Sequence, residues 1–156
     1  MEVLDACCGS RMFWFDKNNQ QVMFVDKRSE SHTLCDGRAL EVKPDVVADF
    51  TSLPFADDSF HLVVFDPPHL ERVGEKGWQF LKYGKLEGEW QTELAAGFAE
   101  CFRVLKPYGT LVFKWNEIQV PVSKILALTP VKPLFGHRSG KASKTHWITF
   151  LNVPTT

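Results

Sequence analysis

Short apolar blocks separated by polar turns run along the chain, and their spacing predicts strands and helices in turn. Residues 2–6 (Glu-Val-Leu-Asp-Ala) form a compact apolar block that predicts a buried strand, closed by the turn Cys7-Cys8-Gly9-Ser10. Residues 11–17 carry Met12, Phe13 and Phe15 and predict a short helix. Val22-Met23-Phe24-Val25 predicts a second strand ending at Asp26. Residues 27–44 are polar, contain Gly37 and Pro44, and show no helical stripe, so they predict a loop with at most one short element. Val46-Val47-Ala48 and the run from Phe60 to Phe65 predict a third and a fourth strand. Residues 69–86, with Trp78, Phe80 and Tyr83, predict a mobile loop, a candidate lid. Trp90, Leu94, Phe98, Cys101, Phe102 and Leu105 recur at three and four and predict a helix, ended by Pro107-Tyr108-Gly109. A fifth strand over 110–115, a short helix near 118–127 and an antiparallel pair from 130–135 and 145–151 complete the pattern.

Strands alternating with helices imply an α/β fold: one domain over residues 1–156, a mostly parallel sheet and a C-terminal antiparallel hairpin. Ligands of such sheets bind beyond the carboxyl ends of the strands. Four predicted strands end in or beside an aspartate: Asp5, Asp26, Asp49 and Asp66. Any one of them is an ordinary turn residue. Four together predict one crevice lined with acids.

Composition narrows the class. The chain has 156 residues, 44% hydrophobic and 13% aromatic, which suits a globular domain and not a disordered one. No apolar run approaches the ~20 residues of a membrane span, and Glu2 and Asp5 sit where a signal peptide would be basic. The four cysteines, Cys7, Cys8, Cys35 and Cys101, have no metal-binding spacing, which predicts a reduced cytoplasmic protein without a metal site. Charge is divided. Residues 1–100 hold 10 Lys/Arg and 18 Asp/Glu, a net of −8; residues 101–156 hold 8 Lys/Arg and one acid, Glu117, a net of +7. A basic half is a candidate surface for an anionic ligand, or only a solubilised set of loops.

Val3-Leu4-Asp5-Ala6-Cys7-Cys8-Gly9-Ser10 resembles the first motif of class I S-adenosylmethionine-dependent methyltransferases. Asp66-Pro67-Pro68-His69 resembles the (Asp/Asn)-Pro-Pro-(aromatic) motif of their amino-group, N6-adenine-like branch. Residues 102–111 resemble the helix, turn and fifth strand of the same Rossmann-like fold, so the likeness spans nearly the whole chain. The resemblance implies S-adenosylmethionine as cofactor, with Asp5, Ala6, Cys7 and Gly9 around its methionine part. Asp26, followed by Lys27, would take the ribose; Asp49 and Phe50 would meet the adenine; Asp66 would sit at the methyl. Two positions depart from the pattern. Arg11 replaces a glycine and is a candidate for the cofactor's carboxylate, and His69 stands where Tyr, Phe or Trp is usual.

The chemistry implied is methyl transfer to an exocyclic amino nitrogen of a nucleobase, adenine N6 in DNA or RNA. Asp66 and the Pro67 carbonyl would hold the amino group, the Pro67-Pro68 pair would keep the backbone rigid, and His69 would stack on the base and titrate near pH 6.5. A base in a duplex must be flipped out first. Lys132, Arg138, Lys141 and Lys144 are candidates for phosphate contact. The alternatives are methylation of a protein glutamine or a small amine, a non-catalytic cofactor-binding module that needs a partner subunit, and a nicotinamide oxidoreductase.

Overall fold

The computed structural model describes residues 1–69, 86, 88–140 and 142–155. Its elements are β1 (Val3–Asp5), β2 (Val22–Asp26), β3 (Glu30–Thr33), β4 (Ala39–Val42), β5 (Val46–Val47), β6 (Phe60–Phe65), α1 (Trp90–Val104), β7 (Leu105–Asn116), α2 (Val122–Leu126), β8 (Phe135–Arg138) and β9 (Thr145–Leu151). Seven strands form one sheet in the order β5-β2-β1-β6-β7-β9-β8, and β3 pairs with β4 separately. β1 lies parallel to β2 and to β6, β2 to β5, and β6 to β7. Among the described residues of this sheet β9 alone is reversed, pairing antiparallel with both β7 and β8. The chain leaves β1 toward β2 on one side and returns as β6 on the other, so β1 and β6 flank a switch point where a crevice must open.

The two faces of the β7–β9 half differ. Leu111, Phe113 and Trp115 are fully buried and pack with Phe98 and Cys101 of α1 and with Phe150. Directly opposed residues share a face, so the other face carries Val112 and Lys114 beside Thr149 and Trp147. These four are only half-buried. α1 turns Leu94, Gly97, Phe98, Cys101 and Val104 inward. Gly97 permits the contact with the sheet: a Cβ there would come within 2.7 Å of Phe50 Cδ1 and 2.8 Å of Phe65 Cζ.

Four expectations are corrected. Residues 11–17 form successive turns and no helix. Arg11 adopts φ 60°, the Trp14 indole is drawn to Asp5, and Asp16 closes a local turn on the Asn18 N–H. Residues 27–44 hold the β3–β4 hairpin, with Glu30 opposite Val42 and Thr33 opposite Ala39. Its turn uses Gly37 at φ 85°, and only Leu40 and Val42 of β4 point inward. Pro107-Tyr108-Gly109 does not end the helix. α1 passes straight into β7 at Leu105, and Tyr108 sits at φ 62° within an irregularity of that strand. The strand expected at 130–135 begins at Phe135. The expected loop over 69–86 lies, apart from His69 and Leu86, outside the described residues, with Trp78, Phe80 and Tyr83. Trp90 packs at the margin of the core.

Candidate active site

The carboxyl ends of β1, β2 and β6 converge on a cavity of about 260 Å³ whose walls include Cys7, Gly9, Phe13, Asp26, Asp66 and Lys114. That volume is just under the roughly 300 Å³ at which small-molecule pockets begin. Strand register explains the convergence. Asp5 pairs with Phe24 and with Val64, so Asp26 and Asp66 each lie two residues beyond its level on the flanking strands.

Each acid is held differently. Asp5 is fully buried below the cavity, where its carboxylate accepts the Trp14 indole N–H at 2.7 Å and the Cys7 amide at 3.2 Å. Burial pushes it up to about 7, against the pull of the Trp14 hydrogen bond. Asp26 accepts the amides of Gly9 and Arg28, both at 2.9 Å, and pairs with the Arg28 guanidinium at 3.6 Å. Gly9 turns at φ 51°, a left-handed conformation that suits glycine and brings its N–H onto Asp26. Asp66 is 18% exposed, with Lys114 Nζ 3.5 Å from its Oδ2. Burial pushes Asp66 up to about 6, and the Lys114 charge holds it from rising further. Cys7 lies in the wall with its thiol pushed up by burial and by Asp26, so no thiolate nucleophile forms there.

Pro67 is buried in the cavity wall and Pro68 and His69 are half-buried behind it. The His69 ring stands edge-on to Trp115, centroids 6.2 Å apart. Burial first, and the Lys114 charge second, push His69 down to about 4. The ring is therefore neutral through the physiological range, and the titration near pH 6.5 expected of it is corrected.

Other candidates fall elsewhere. Arg11 donates to the carbonyls of Lys17 and Lys43, pairs with Asp45 at 3.6 Å and lies 3.9 Å over the Phe24 ring. It does not line the cavity. Ala6 is buried in the turn directly after β1 and Lys27 is exposed. The exposed Asp49 caps its own turn by accepting the Thr51 amide and hydroxyl, and Phe50 packs against Phe65; neither lines the cavity. Lys132 and Lys144 are exposed, and Lys141 lies outside the described residues. Arg138 is the cross-strand partner of His146 and lines a groove against Val122 and Leu126 of α2.

Lys114 was missed by sequence reasoning. It sits at the cavity on β7, its ammonium 5.4 Å from the Phe13 ring centroid and 5.5 Å from that of Trp147. Its only sequence signal is a charge within the otherwise apolar run from Leu111 to Trp115. Among the described residues no cluster of His, Cys, Asp and Glu could hold a metal ion, and no helix is long and apolar enough to cross a membrane.

No protein-family model matches the chain, and no curated protein matches it. Solved structures share its fold. The PH0226 protein from Pyrococcus horikoshii superposes with a TM-score of 0.62 at 16% identity, covering 96% of this chain and 81% of its own. A SAM-dependent methyltransferase from Methanosarcina mazei superposes at 0.58 and 12% identity, covering 97% and 92%. The cyclase SpnF superposes at 0.53 and 12% identity, covering 97% and 74%. The chain has the Rossmann-like fold of class I methyltransferases. One of these neighbours is a cyclase, so the reaction must be read from the site and not from the fold.

Proposed function

We propose that this chain transfers a methyl group from S-adenosylmethionine to an exocyclic amino nitrogen of a nucleobase, adenine N6 in DNA or RNA. The observation that carries the reading is Asp66-Pro67, set directly beyond β6 with the Asp66 carboxylate on the same cavity as the Gly9 turn and Asp26.

The residues fit this cofactor. Asp26 keeps acceptor capacity beyond its two amide bonds for ribose hydroxyls. Three carboxylates at the strand ends, two of them held high by burial, suit a ligand that carries an ammonium and a sulfonium. The same acids oppose the pyrophosphate of a nicotinamide nucleotide. The turns after Gly9 also lack the helix N-terminus on which a pyrophosphate would rest.

Bound S-adenosylmethionine supplies a methyl already activated on sulfur. The chain's own residues align the amine with it. Asp66 and the Pro67 carbonyl accept hydrogen bonds from the target amino group, which turns its lone pair toward the methyl. Lys114 keeps the Asp66 carboxylate charged and in place. His69, being neutral, puts no cation beside the reacting nitrogen.

The test is tritiated methyl transfer to DNA, RNA and protein pools, followed by nucleoside mass spectrometry. Methylated adenine is the expected product; label in another base or in protein glutamine, or none in any pool, overturns the substrate. Asp66→Ala abolishes transfer and keeps S-adenosylhomocysteine binding. Asp26→Ala weakens that binding by about 1.5–3 kcal/mol, the scale of a hydrogen bond to a charged group.

A further inference from the structure

The sheet face opposite the two helices leads from Asp66 to the molecule's edge. Across it runs a row of directly opposed residues: Lys114 on β7, Trp147 on β9 and His137 on β8. The row beside it is Val112, Thr149 and Phe135. Exposure rises outward. The Lys114 side chain is 22% exposed, His137 is exposed, and Phe135 is 64% exposed. Phe13 reaches over from the turns after β1 and meets Trp147 edge-on at 5.5 Å. Strand spacing of about 4.8 Å makes a row of three residues roughly 10 Å long.

We propose that this face is a stacking platform for single-stranded nucleic acid, taking the two or three nucleotides that flank a base held at Asp66. The inference rests on the functional reading above and names its substrate as single-stranded.

Charge selects an anionic occupant. The two rows carry no acid; Lys114, at their inner end, already faces Asp66 at 3.5 Å, and the exposed Lys132 and Lys144, on the segments that flank β8 and β9, add positive charge without an acid in either row. Glu117, the one acid of residues 101–156, is held on the helix side, where it pairs with His146 at 2.9 Å and accepts the Val122 amide of α2. A second copy of this chain would set like charge against like charge. Ring surfaces select bases among anions: His137 and Phe135 alternate on β8, the spacing at which a strand presents side chains to one face. Exposed rings on a sheet bind unstacked bases, which a duplex does not offer.

The experiment measures fluorescence anisotropy of a labelled 12-nucleotide single-stranded DNA, the matching RNA, their duplexes and a poly-glutamate peptide, with and without S-adenosylhomocysteine. Single strands are expected to bind at least about tenfold tighter than duplexes. Phe135→Ala and His137→Ala, both at exposed positions, are each expected to weaken binding about 5- to 150-fold, the range of one stacked base. Val47→Ser, on the far edge strand, leaves it unchanged. Circular dichroism melts confirm that the variants fold. Equal duplex binding, equal competition by poly-glutamate, unchanged affinity in both ring variants, or a dimer that masks the face in light scattering overturns the platform. Failure of the platform with S-adenosylhomocysteine binding intact leaves the methyl-transfer reading standing. Loss of S-adenosylhomocysteine binding with oligonucleotide binding intact does the reverse.

Discussion

At the scale of single residues, two acids and a histidine divide the titration of the site. In the proposed reading Asp66 must be ionised to accept the amino group, and burial puts it at about 6. Activity therefore falls as pH drops through about 6. His69, at about 4, takes no part in that limb. His69→Tyr is expected to keep the limb, and Asp66→Asn, which retains a carbonyl acceptor, to keep some activity and lose it. Rate against pH from 5 to 8 for the three proteins checks this; a limb that vanishes in the tyrosine variant would return it to His69. Asp5 carries a second consequence. Its carboxyl lies at about 7, and a cation bound nearby favours its charged form. Binding of S-adenosylmethionine near pH 7 should thus release a proton, and affinity should rise with pH through that region. Calorimetry in buffers of different ionisation enthalpy reads the release directly. A binding enthalpy independent of buffer would detach Asp5 from the ligand.

At the scale of elements, α1 positions the strand that leads into Asp66. Its inward stripe presses on β6 and β7 through Phe98, which packs against Phe65 at 5.4 Å and Phe113 at 4.9 Å between centroids. Phe65 is the residue before Asp66, so the helix sets the height of the acid above the sheet. Gly97→Ala forces a methyl into Phe50 and Phe65. Overpacking of this kind costs about 1–3 kcal/mol, and denaturant unfolding at neutral pH should read a loss in that range. An unchanged midpoint would mean that Phe50 yields freely. The turns after β1 are the second device. Trp14 on Asp5 and Arg11 on two carbonyls stiffen a segment with no helix of its own. Clamping a loop to the sheet by side-chain bonds replaces the packing that a helix would supply.

At the scale of the whole molecule, charge and geometry are arranged together. The acids that hold the cofactor in the proposed reading cluster at the ends of β1, β2 and β6, and the basic half begins with β7. The cleft sits at their border, where Lys114 meets Asp66. Replacing Lys132 and Lys144 with glutamine is expected to flatten the salt dependence of single-strand binding by about 1.4 in the log–log slope, ~0.7 for each phosphate no longer neutralised. Anisotropy titrations between low and moderate salt give the slope, and an unchanged value would mark both lysines as solvent-facing only.

The sequence by itself determined the parallel sheet, the long helix and the acids at the strand ends. Period-two and three-to-four patterns are local, and an aspartate beside an apolar run marks a strand's end wherever that strand later packs. The Asp-Pro-Pro-His run was legible for the same reason, being four adjacent residues. What only the tertiary structure decided lies between segments. Lys114 is 48 residues from Asp66 and became its partner through the pairing of β6 with β7. The hairpin of residues 30–42 was hidden because its outward positions are polar and its inward ones few. Arg11 was a candidate ligand residue by position, and its reach to the Lys43 carbonyl and to Asp45 is visible only in three dimensions. The basic segment around Arg138 looked uniform in sequence, but the register of β8 on β9 set Arg138 opposite His146 and His137 opposite Trp147. Register between distant strands sets which side chains meet, and a one-residue shift reverses every face. No local pattern encodes that register.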